Sequence, residues 1–279
     1  MKVVEYRLVL PLTTEEYHLA QLYMVSKASR EETGGGEGVE IVKNQPYIDN
    51  PHKLPPGQYT EKIFHLRSKV PSFIAAIIPA SAMSLVEYSW NAFPKCLTVY
   101  EHTYSGEKFH LSVETMHLDD NGHNPNANNL SPEELKVRHV EMLNIADKAN
   151  GVAMVKGEDP TVFHSKKTGR GPLDKNFAYN SQPIMCAYKV VRLNFKVFGL
   201  QKKVEDWGHR YGIRNPFIHY HRKLFCWIDE WYGLTLEDIR AMEVDTQRIT
   251  MNKLHEEVKE EEPGASSSDS KSVIAATAC

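Results

Sequence analysis

Alternating polar and apolar positions predict a half-buried strand over residues 59–67. Its side chains follow a period of two, so that neighbours along the chain point to opposite faces. On one face the apolar Phe64 and Leu66 lie in line with the polar Thr60 and Lys62. A buried cation without a partner is costly, so Lys62 needs an internal carboxylate or an anionic ligand, unless it lies at a strand end and reaches water.

Other predicted strands repeat this pattern of isolated polar side chains among apolar ones. Cys96 and Thr98 share one face of a strand, Thr115 shares a face with apolar neighbours in the next, and Lys189 lies on a third. The repeated pattern indicates a cavity with a few polar side chains at specific positions. Besides 59–67, strands are predicted at 3–10, 39–42, 96–104, 108–117 and 185–198, and the strands at 96–104 and 108–117 form a hairpin.

Helical spacing and capping signals predict the remaining elements. Thr13, followed three residues later by Glu16, forms a capping box. The apolar face of this helix includes Gln21, which lies either at the edge of the face or in a hydrogen bond inside the protein. Helices are predicted at 13–28, 82–88, 131–148, 199–230 with a break around 208–216, and 235–254. These elements predict an α+β domain in which a curved antiparallel sheet of about six or seven strands packs against helices.

Composition excludes several classes of protein. The chain of 279 residues is 41% hydrophobic and 25% charged, enough to bury a large core, and its net charge of -3 gives no general attraction to nucleic acid. The first residues predict a strand and not a signal peptide, no apolar run could span a bilayer, and the four cysteines lack CxxC spacing. We therefore expect a cytoplasmic protein. Residues 254–279 are acidic and rich in serine, which predicts a disordered tail after a domain at 1–253.

Motifs for catalysis or metal binding do not occur in the sequence. The glycine-rich stretch 33–38 lacks the Lys-Ser or Lys-Thr of a phosphate-binding loop, and there is no GxSxG or HExxH. His219 and His221 are two residues apart, which points them away from each other on a helix. We therefore expect no catalytic residues, no metal and no cofactor. In the basic loop 159–174, Ser165 precedes two lysines and is a candidate kinase target.

Seven motifs together resemble those of class I phosphatidylinositol transfer proteins. Over residues 1 to about 253, in the family's order, they are EYRLVLPLTTEEY, ETGGGEGVE, GQYTEKIFHLRSKVP, WNAFPKC, KTGRGPL, MCAYKVV and LFCWIDEWYGLTLEDIRAME. The resemblance implies a helix-grip fold similar to START domains, in which a concave sheet encloses one phospholipid and a C-terminal helix closes the cavity. It implies that the inositol ring is held by Thr60, Lys62, Asn91 and Glu243, with Glu243 as the partner of Lys62. It implies that the lipid phosphate is held by Gln21, Thr98, Thr115 and Lys189.

The sequence departs from that family at two places. Where vertebrate members carry two tryptophans after the long strand, this chain has Val197 and Phe198. We expect these two at an exposed tip that docks on membranes; in the alternative, Phe198 closes the core behind the sheet. The residues beyond Leu254 do not resemble the family's tail.

The resemblance implies a monomeric carrier that binds phosphatidylinositol and phosphatidylcholine, exchanges them between membranes and touches membrane surfaces transiently. Presentation of bound phosphatidylinositol to lipid kinases is an alternative that uses the same pocket. An esterase or lyase is a third interpretation, which lacks a nucleophile and a base. Cys96 is expected to place a thiol on the cavity face beside Thr98.

Overall fold

One eight-stranded sheet forms the centre of the structure. The computed structural model describes residues 2–66 and 70–255. The strands are β1 (Lys2–Leu10), β2 (Gly38–Tyr47), β3 (Gly57–His65), β4 (Ser84–Ala92), β5 (Lys95–Glu101), β6 (Phe109–Leu118), β7 (His139–Leu143) and β8 (Met185–Phe195). Their order is β2-β3-β4-β5-β6-β8-β1-β7, and neighbours are antiparallel except for β1 and β7, which run parallel at one edge.

The helices comprise one long helix near the N-terminus, a C-terminal group and several single turns. They are α1 (Thr14–Glu32), α2 (Ser72–Ala75), α3 (Pro132–Val137), α4 (Phe177–Asn180), α5 (Gln201–Trp207), α6 (Asn215–Cys226), α7 (Ile228–Trp231) and α8 (Leu236–His255). The capping box predicted for α1 is confirmed, because Thr13 and Glu16 each accept a hydrogen bond from the other's backbone N–H.

The main core lies between the sheet and the helices α1 and α6. Tyr17 and Met24 of α1, Val113 of β6 and Phe217 of α6 belong to one continuous cluster of buried apolar side chains. Burying a side chain of this size contributes roughly 1.5 to 3 kcal/mol. Gln21 lies on the same face of α1 and is also buried, so it does not lie at the edge of that face. We call the face of the sheet that packs on α1 the inner face.

The prediction of a helix at 82–88 is wrong, since most of this segment belongs to strand β4. Leu85, Glu87 and Ser89 are buried and alternate with less buried neighbours, which is the period of a strand. The pattern was difficult to recognise because two of the three inward side chains are polar. β4 pairs with β3 on one side and β5 on the other.

The helix predicted at 131–148 is also too long, because α3 ends at Val137 and β7 follows it. Between them Arg138 is extended, and its guanidinium donates to the buried carboxylate of Glu5 on β1 at 2.7 Å. Pairing with a strand that is distant in sequence overrides the local helical preference. The sheet therefore has eight strands and one parallel pair, instead of six or seven antiparallel strands.

The predicted break around 208–216 is a π-helical segment, Gly208–Arg214, that joins α5 to α6. Gly208 lies against the sheet, since a Cβ at this position would come within 2.8 Å of the Leu193 side chain. A larger residue at this position would require the Leu193 side chain to shift.

The C-terminal helix α8 continues to His255, one residue past the predicted boundary. The rest of the predicted tail, residues 256–279, lies outside the described residues. Within residues 2–66 and 70–255, no helix is both long and apolar enough to cross a membrane.

Candidate functional site

Cross-strand register collects polar side chains into two neighbouring rows on the inner face of the sheet. The first row runs from β4 to β8 and contains Asn91, Cys96, Thr115 and Lys189. The second row lies next to it and contains Thr60, Ser89 and Thr98. In the second row, the hydroxyls of Ser89 and Thr98 lie 3.2 Å apart. The sheet therefore brings six of the eight residues that the resemblance implies into two rows or beside them, since Lys62 follows Thr60 by two positions on β3.

Lys62 is buried, and its partner is an internal carboxylate. Its Nζ lies 3.2 Å from Oε1 of Glu87, which is fully buried and directly opposite on β4. The strand-end alternative is thereby excluded, and the expectation that Glu243 is the partner of Lys62 is wrong. The reason is the helix wrongly predicted at 82–88, which hid the inward position of Glu87.

Glu243 lies on α8 and is held by other groups. Its Oε2 accepts hydrogen bonds from Arg240 at 2.6 Å and from the Asn44 side chain at 3.1 Å. Gln58 in turn donates to Asn44 at 2.6 Å. The carboxylate is thus fixed where α8 crosses the edge strand β2.

Further polar contacts attach α8 to the rest of the molecule. Arg30 of α1 donates to the Thr246 hydroxyl at 2.7 Å and to the Met242 carbonyl at 2.8 Å. Gln247 donates to the Ile41 carbonyl of β2 at 2.9 Å. These contacts join α8 to α1 and to the edge strand.

A polar pocket between α1, the sheet and α8 is lined by all four residues implied for the inositol ring. Its polar lining comes from three sides and consists of Gln21, Ser26 and Ser29 of α1, Asn44, Gln58, Thr60, Lys62, Ser89 and Asn91 of the sheet, and Arg240 and Glu243 of α8. We call this space the polar pocket. Its amides, hydroxyls and charged groups can bind a polyol ring from several directions.

Most of the residues implied for the phosphate are buried more deeply than those implied for the inositol ring. Gln21 lines the polar pocket, whereas Thr98, Thr115 and Lys189 are fully buried in the adjacent rows and do not line it. Burial lowers the pKa of the Lys189 ammonium to about 7, and its Nζ lies 5.3 Å from the centre of the Phe217 ring. An anion close to Lys189 would favour its charged form.

Two buried histidines lie beside Lys189, and the sequence assigned neither of them to this site. His117 and His221 each place Nδ1 against a backbone carbonyl, at 2.8 Å and 2.7 Å, so Nδ1 carries the proton. Nε2 of His221 accepts from the Tyr17 hydroxyl at 2.9 Å. Burial, and next the charge of Lys189, lower the pKa of both imidazoles to about 3, so both are neutral at physiological pH. No local sequence motif predicts that these two histidines lie near Lys189, because only the assembled fold brings them together.

An apolar cavity, partly open to solvent, lies on the other side of the Lys62 and Glu87 pair. Its lining is almost entirely aliphatic and aromatic and includes Leu66, Ile74, Leu85, Phe109, Leu111, Leu193, Phe195, Val204, Trp207 and Ile213. Polar pocket and apolar cavity are therefore built on one face of one sheet. This division matches an amphiphilic ligand with a polar head and apolar chains.

Comparison with known proteins agrees with this geometry. A family model described as "Phosphatidylinositol transfer protein" matches residues 1–248. The chain belongs to the phosphatidylinositol transfer protein family.

Similar proteins carry the same family name. "Phosphatidylinositol transfer protein 2" of Dictyostelium discoideum is 49% identical over 257 residues, covering 92% of this chain and 98% of that protein. "Cytoplasmic phosphatidylinositol transfer protein 1" of Drosophila melanogaster is 46% identical over 254 residues, 91% of each chain. "Phosphatidylinositol transfer protein beta isoform" of Mus musculus is 44% identical over 253 residues, 88% of this chain and 92% of that one. The resemblance to this family of lipid transfer proteins and the α+β, START-like fold are confirmed.

The two residues expected at the exposed tip, Val197 and Phe198, differ in their exposure to solvent. The Phe198 side chain is fully exposed, so it does not close the core. Val197 is half-buried and packs on the cluster formed by Ile74, Phe195 and Val204, so the expectation that both are exposed is wrong for Val197. These three cluster residues also line the apolar cavity, which places the tip beside that cavity.

Ser165, the candidate kinase target, is fully buried. Its hydroxyl donates to Asp229 Oδ1 at 2.5 Å, and the backbone N–H groups of Lys166 and Lys167 donate to the same carboxylate. The Ser165 hydrogen bond lowers the pKa of Asp229 below its usual value. A kinase could reach Ser165 only after this loop opens.

Cys96 occupies the inward position that the sequence predicts. It is buried, and its Sγ lies 3.8 Å from the Ser89 hydroxyl. A free thiol at this position, open to the cavity, stays a prediction.

The histidines considered for metal binding make other contacts. His219 lies 3.7 Å from Glu158, and His221 binds Tyr17. In the part of the chain that the structure describes, no group of three or more His, Cys, Asp or Glu side chains could hold a metal ion.

Proposed function

We propose that the protein binds one phospholipid and carries phosphatidylinositol and phosphatidylcholine between membranes. The observation that supports this function is the polar pocket next to the apolar cavity on one face of the sheet. A phospholipid has the same division, so its headgroup and its chains would each meet matching surroundings. The family names of the relatives agree with this proposal.

Headgroup choice would follow from hydrogen bonding. Inositol hydroxyls both donate and accept, so Lys62 can donate to them, Glu243 can accept, and Thr60 and Asn91 can do both. A choline group offers no conventional hydrogen-bond donor or acceptor and would leave these partners unsatisfied. Phosphatidylinositol should therefore bind more tightly, while phosphatidylcholine still gains from the phosphate and the chains.

Transfer requires a carrier because the chains are costly to expose. A diacyl lipid has on the order of thirty CH₂ groups, and at roughly 0.8 kcal/mol each about 24 kcal/mol opposes its passage through water. The apolar cavity would replace the bilayer contacts of the chains at similar free energy. The cycle we propose is docking, opening of the cavity, exchange of one lipid for another, and release.

Docking is assigned to the tip around Phe198. Exposed lysines accompany it in the same stretch of the chain, at Lys196, Lys202 and Lys203. The Lys203 ammonium lies over the ring of Phe73, 4.3 Å from its centre. One exposed aromatic ring with nearby cations suits a transient contact with an anionic bilayer surface.

Presentation of phosphatidylinositol to lipid kinases is the second candidate function. Arg240 and Glu243 on α8 form one wall of the polar pocket, so displacement of this one helix would uncover the ring. Adding a purified lipid kinase to loaded protein tests it: the proposal requires faster phosphorylation than with the same lipid in vesicles.

The test of the carrier function uses the full-length protein and two lipids. Native mass spectrometry after incubation with mixed vesicles should show one phospholipid per protein, with phosphatidylinositol enriched over its share in the vesicles. Transfer of both labelled lipids between vesicles should be faster with protein than without. Recovery of unchanged lipid is also required, because hydrolysis products would support the esterase or lyase interpretation instead.

A further inference from the structure

The helix side of the polar pocket contains a hydroxyl whose role the assigned residues do not explain. Ser29 lies on α1 two turns after Gln21, on the face that lines the pocket together with Val25 and Ser26. Its side chain is 1% exposed. Its Oγ has no hydrogen-bond partner among the residues that the structure describes.

An unsatisfied buried hydroxyl on a helix is unusual. A serine or threonine in a helix normally bonds to a carbonyl of the preceding turn. On α8, Thr246 does so with Met242 at 2.7 Å, and Thr250 bonds to the carbonyl of Gln247 at 3.2 Å. Ser29 has no such bond, so its hydroxyl remains available to a ligand in the pocket.

The chemistry of a polyol ring supplies the missing partner. The residues implied for the ring approach it from the sheet, at Thr60, Lys62 and Asn91, and from α8, at Glu243. An inositol ring carries a hydroxyl on every carbon that is not esterified, so hydroxyls that face α1 need partners as well. Gln21, also on α1, is implied for the phosphate and not for the ring.

We propose that Ser29 is a further inositol-binding residue, whose hydroxyl forms a hydrogen bond with a ring hydroxyl that faces α1. This inference rests on the proposed function, because it needs phosphatidylinositol in the polar pocket. Ser29 selects phosphatidylinositol against phosphatidylcholine, since a choline group leaves its hydroxyl unsatisfied. One hydrogen bond of ordinary strength corresponds to about 3- to 10-fold in affinity.

The experiment compares three forms of the full-length protein: unaltered, Ser29→Ala and Ser112→Ala. Ser112 is a matched control, since it is a buried serine on the opposite face of the sheet with its hydroxyl 3.3 Å from His110. Each form is loaded from vesicles of phosphatidylinositol and phosphatidylcholine, and the ratio of bound lipids is measured by native mass spectrometry. Ser29→Ala should lower the ratio by about 3- to 10-fold without loss of phosphatidylcholine binding, and Ser112→Ala should not change it.

A second measurement separates contact from packing. Phosphatidylinositol analogues that each lack one ring hydroxyl are tested on the unaltered protein and on Ser29→Ala. The two forms should bind one analogue equally, since both partners of the same hydrogen bond are then missing. Equal effects of Ser29→Ala on every analogue would show that Ser29 acts through helix packing and would overturn the proposal. Ser29→Cys, which keeps the size of the side chain, replaces the alanine variant if that one does not fold.

Failure of the proposed function and failure of the Ser29 role give different results. If the unaltered protein takes up no phosphatidylinositol, both the proposed function and the proposed role of Ser29 are wrong. If the unaltered protein loads phosphatidylinositol and Ser29→Ala loads it equally well, only the role of Ser29 is wrong.

Discussion

Lys62 and Glu87 face each other on β3 and β4 and form a buried ion pair at 3.2 Å, at the boundary between the polar pocket and the apolar cavity. The ammonium is therefore held in place before any ligand arrives. Its role in stability and its proposed role in headgroup binding can be separated by experiment.

Lys62→Met should lower the free energy of unfolding by about 3 to 5 kcal/mol, because it leaves the Glu87 charge buried without its partner. The double variant Lys62→Met with Glu87→Leu should recover most of this loss. Both should lose transfer of phosphatidylinositol and keep transfer of phosphatidylcholine, measured with labelled vesicles. Recovery of phosphatidylinositol transfer in the double variant would mean that Lys62 acts on the fold alone.

Asn44 should position Glu243 for the headgroup. Asn44→Ala removes one of the two hydrogen bonds that fix the carboxylate, so loading of phosphatidylinositol should fall about 3- to 10-fold. Gln45→Ala, at the exposed neighbouring position, is the control and should have no effect. An equal fall for phosphatidylcholine would argue against a role in headgroup recognition.

Phe198→Ala should slow transfer between vesicles and leave both stability and lipid loading unchanged, because the ring is fully exposed. Loss of its insertion removes roughly 1.5 to 3 kcal/mol of membrane binding. Tyr179→Ala, at another exposed aromatic side chain, is the control. Val197→Ala should instead lower stability by about 1 kcal/mol, since Val197 packs on a buried cluster. Transfer at the normal rate in Phe198→Ala would place the docking surface elsewhere.

Stability should rise with pH above neutrality because of Lys189. In the unfolded chain this lysine stays protonated to a pH of about 10.4, whereas its pKa in the folded protein is about 7. Between these values the unfolded chain binds more protons, so the free energy of unfolding increases with pH; below pH 7 the full cost of the buried cation remains. Denaturant titrations of the empty protein between pH 6 and 9 should show this slope, and Lys189→Met should reduce it.

Lipid loading should follow the opposite trend. A phosphate near Lys189 favours the protonated ammonium, so uptake of both phospholipids should weaken above pH 7, by at most about tenfold per pH unit. Loading at a series of pH values, with Lys189→Met as the comparison, measures this. A dependence limited to phosphatidylinositol would assign Lys189 to the ring and not to the phosphate.

Ser165 should become a better kinase substrate when its loop is loosened. Asp229→Ala removes the acceptor for the Ser165 hydroxyl and for two backbone N–H groups, so the loop should open more often. A basophilic kinase should incorporate more phosphate into Asp229→Ala than into the unaltered protein. Ser165→Ala is the control that lacks the acceptor hydroxyl. No phosphate in either form would remove Ser165 as a modification site.

Local sequence signals were sufficient where one residue pattern determined one element. The capping box at Thr13 and the alternation in β5 and β6 each correspond to a structure of a few residues, and both are confirmed. The polar residues Thr60 and Lys62 could be assigned to an inner face for the same reason. Their proposed role in a headgroup site rests on resemblance to a family.

Contacts between distant segments were not predictable in this way. The inward Glu87 looked like part of a helix because a charged residue on the buried side breaks the apolar period. Residues 139–143 form the strand β7 because they pair with the edge of β1, and their own sequence does not require a strand. His117 and His221 meet beside Lys189 only when β6, α6 and β8 are assembled.

The position of the exposed tip has a consequence for the direction in which a lipid must travel. Phe198 lies beside the apolar cavity, whereas the polar pocket is on the far side of the Lys62 and Glu87 pair. A bilayer held at Phe198 therefore faces the acyl end of the binding site. The lipid would leave the membrane headgroup first, with its chains trailing, and return chains first. In this order the hydrocarbon stays in continuous contact with apolar surroundings, and only the hydrophilic part crosses the interior of the protein.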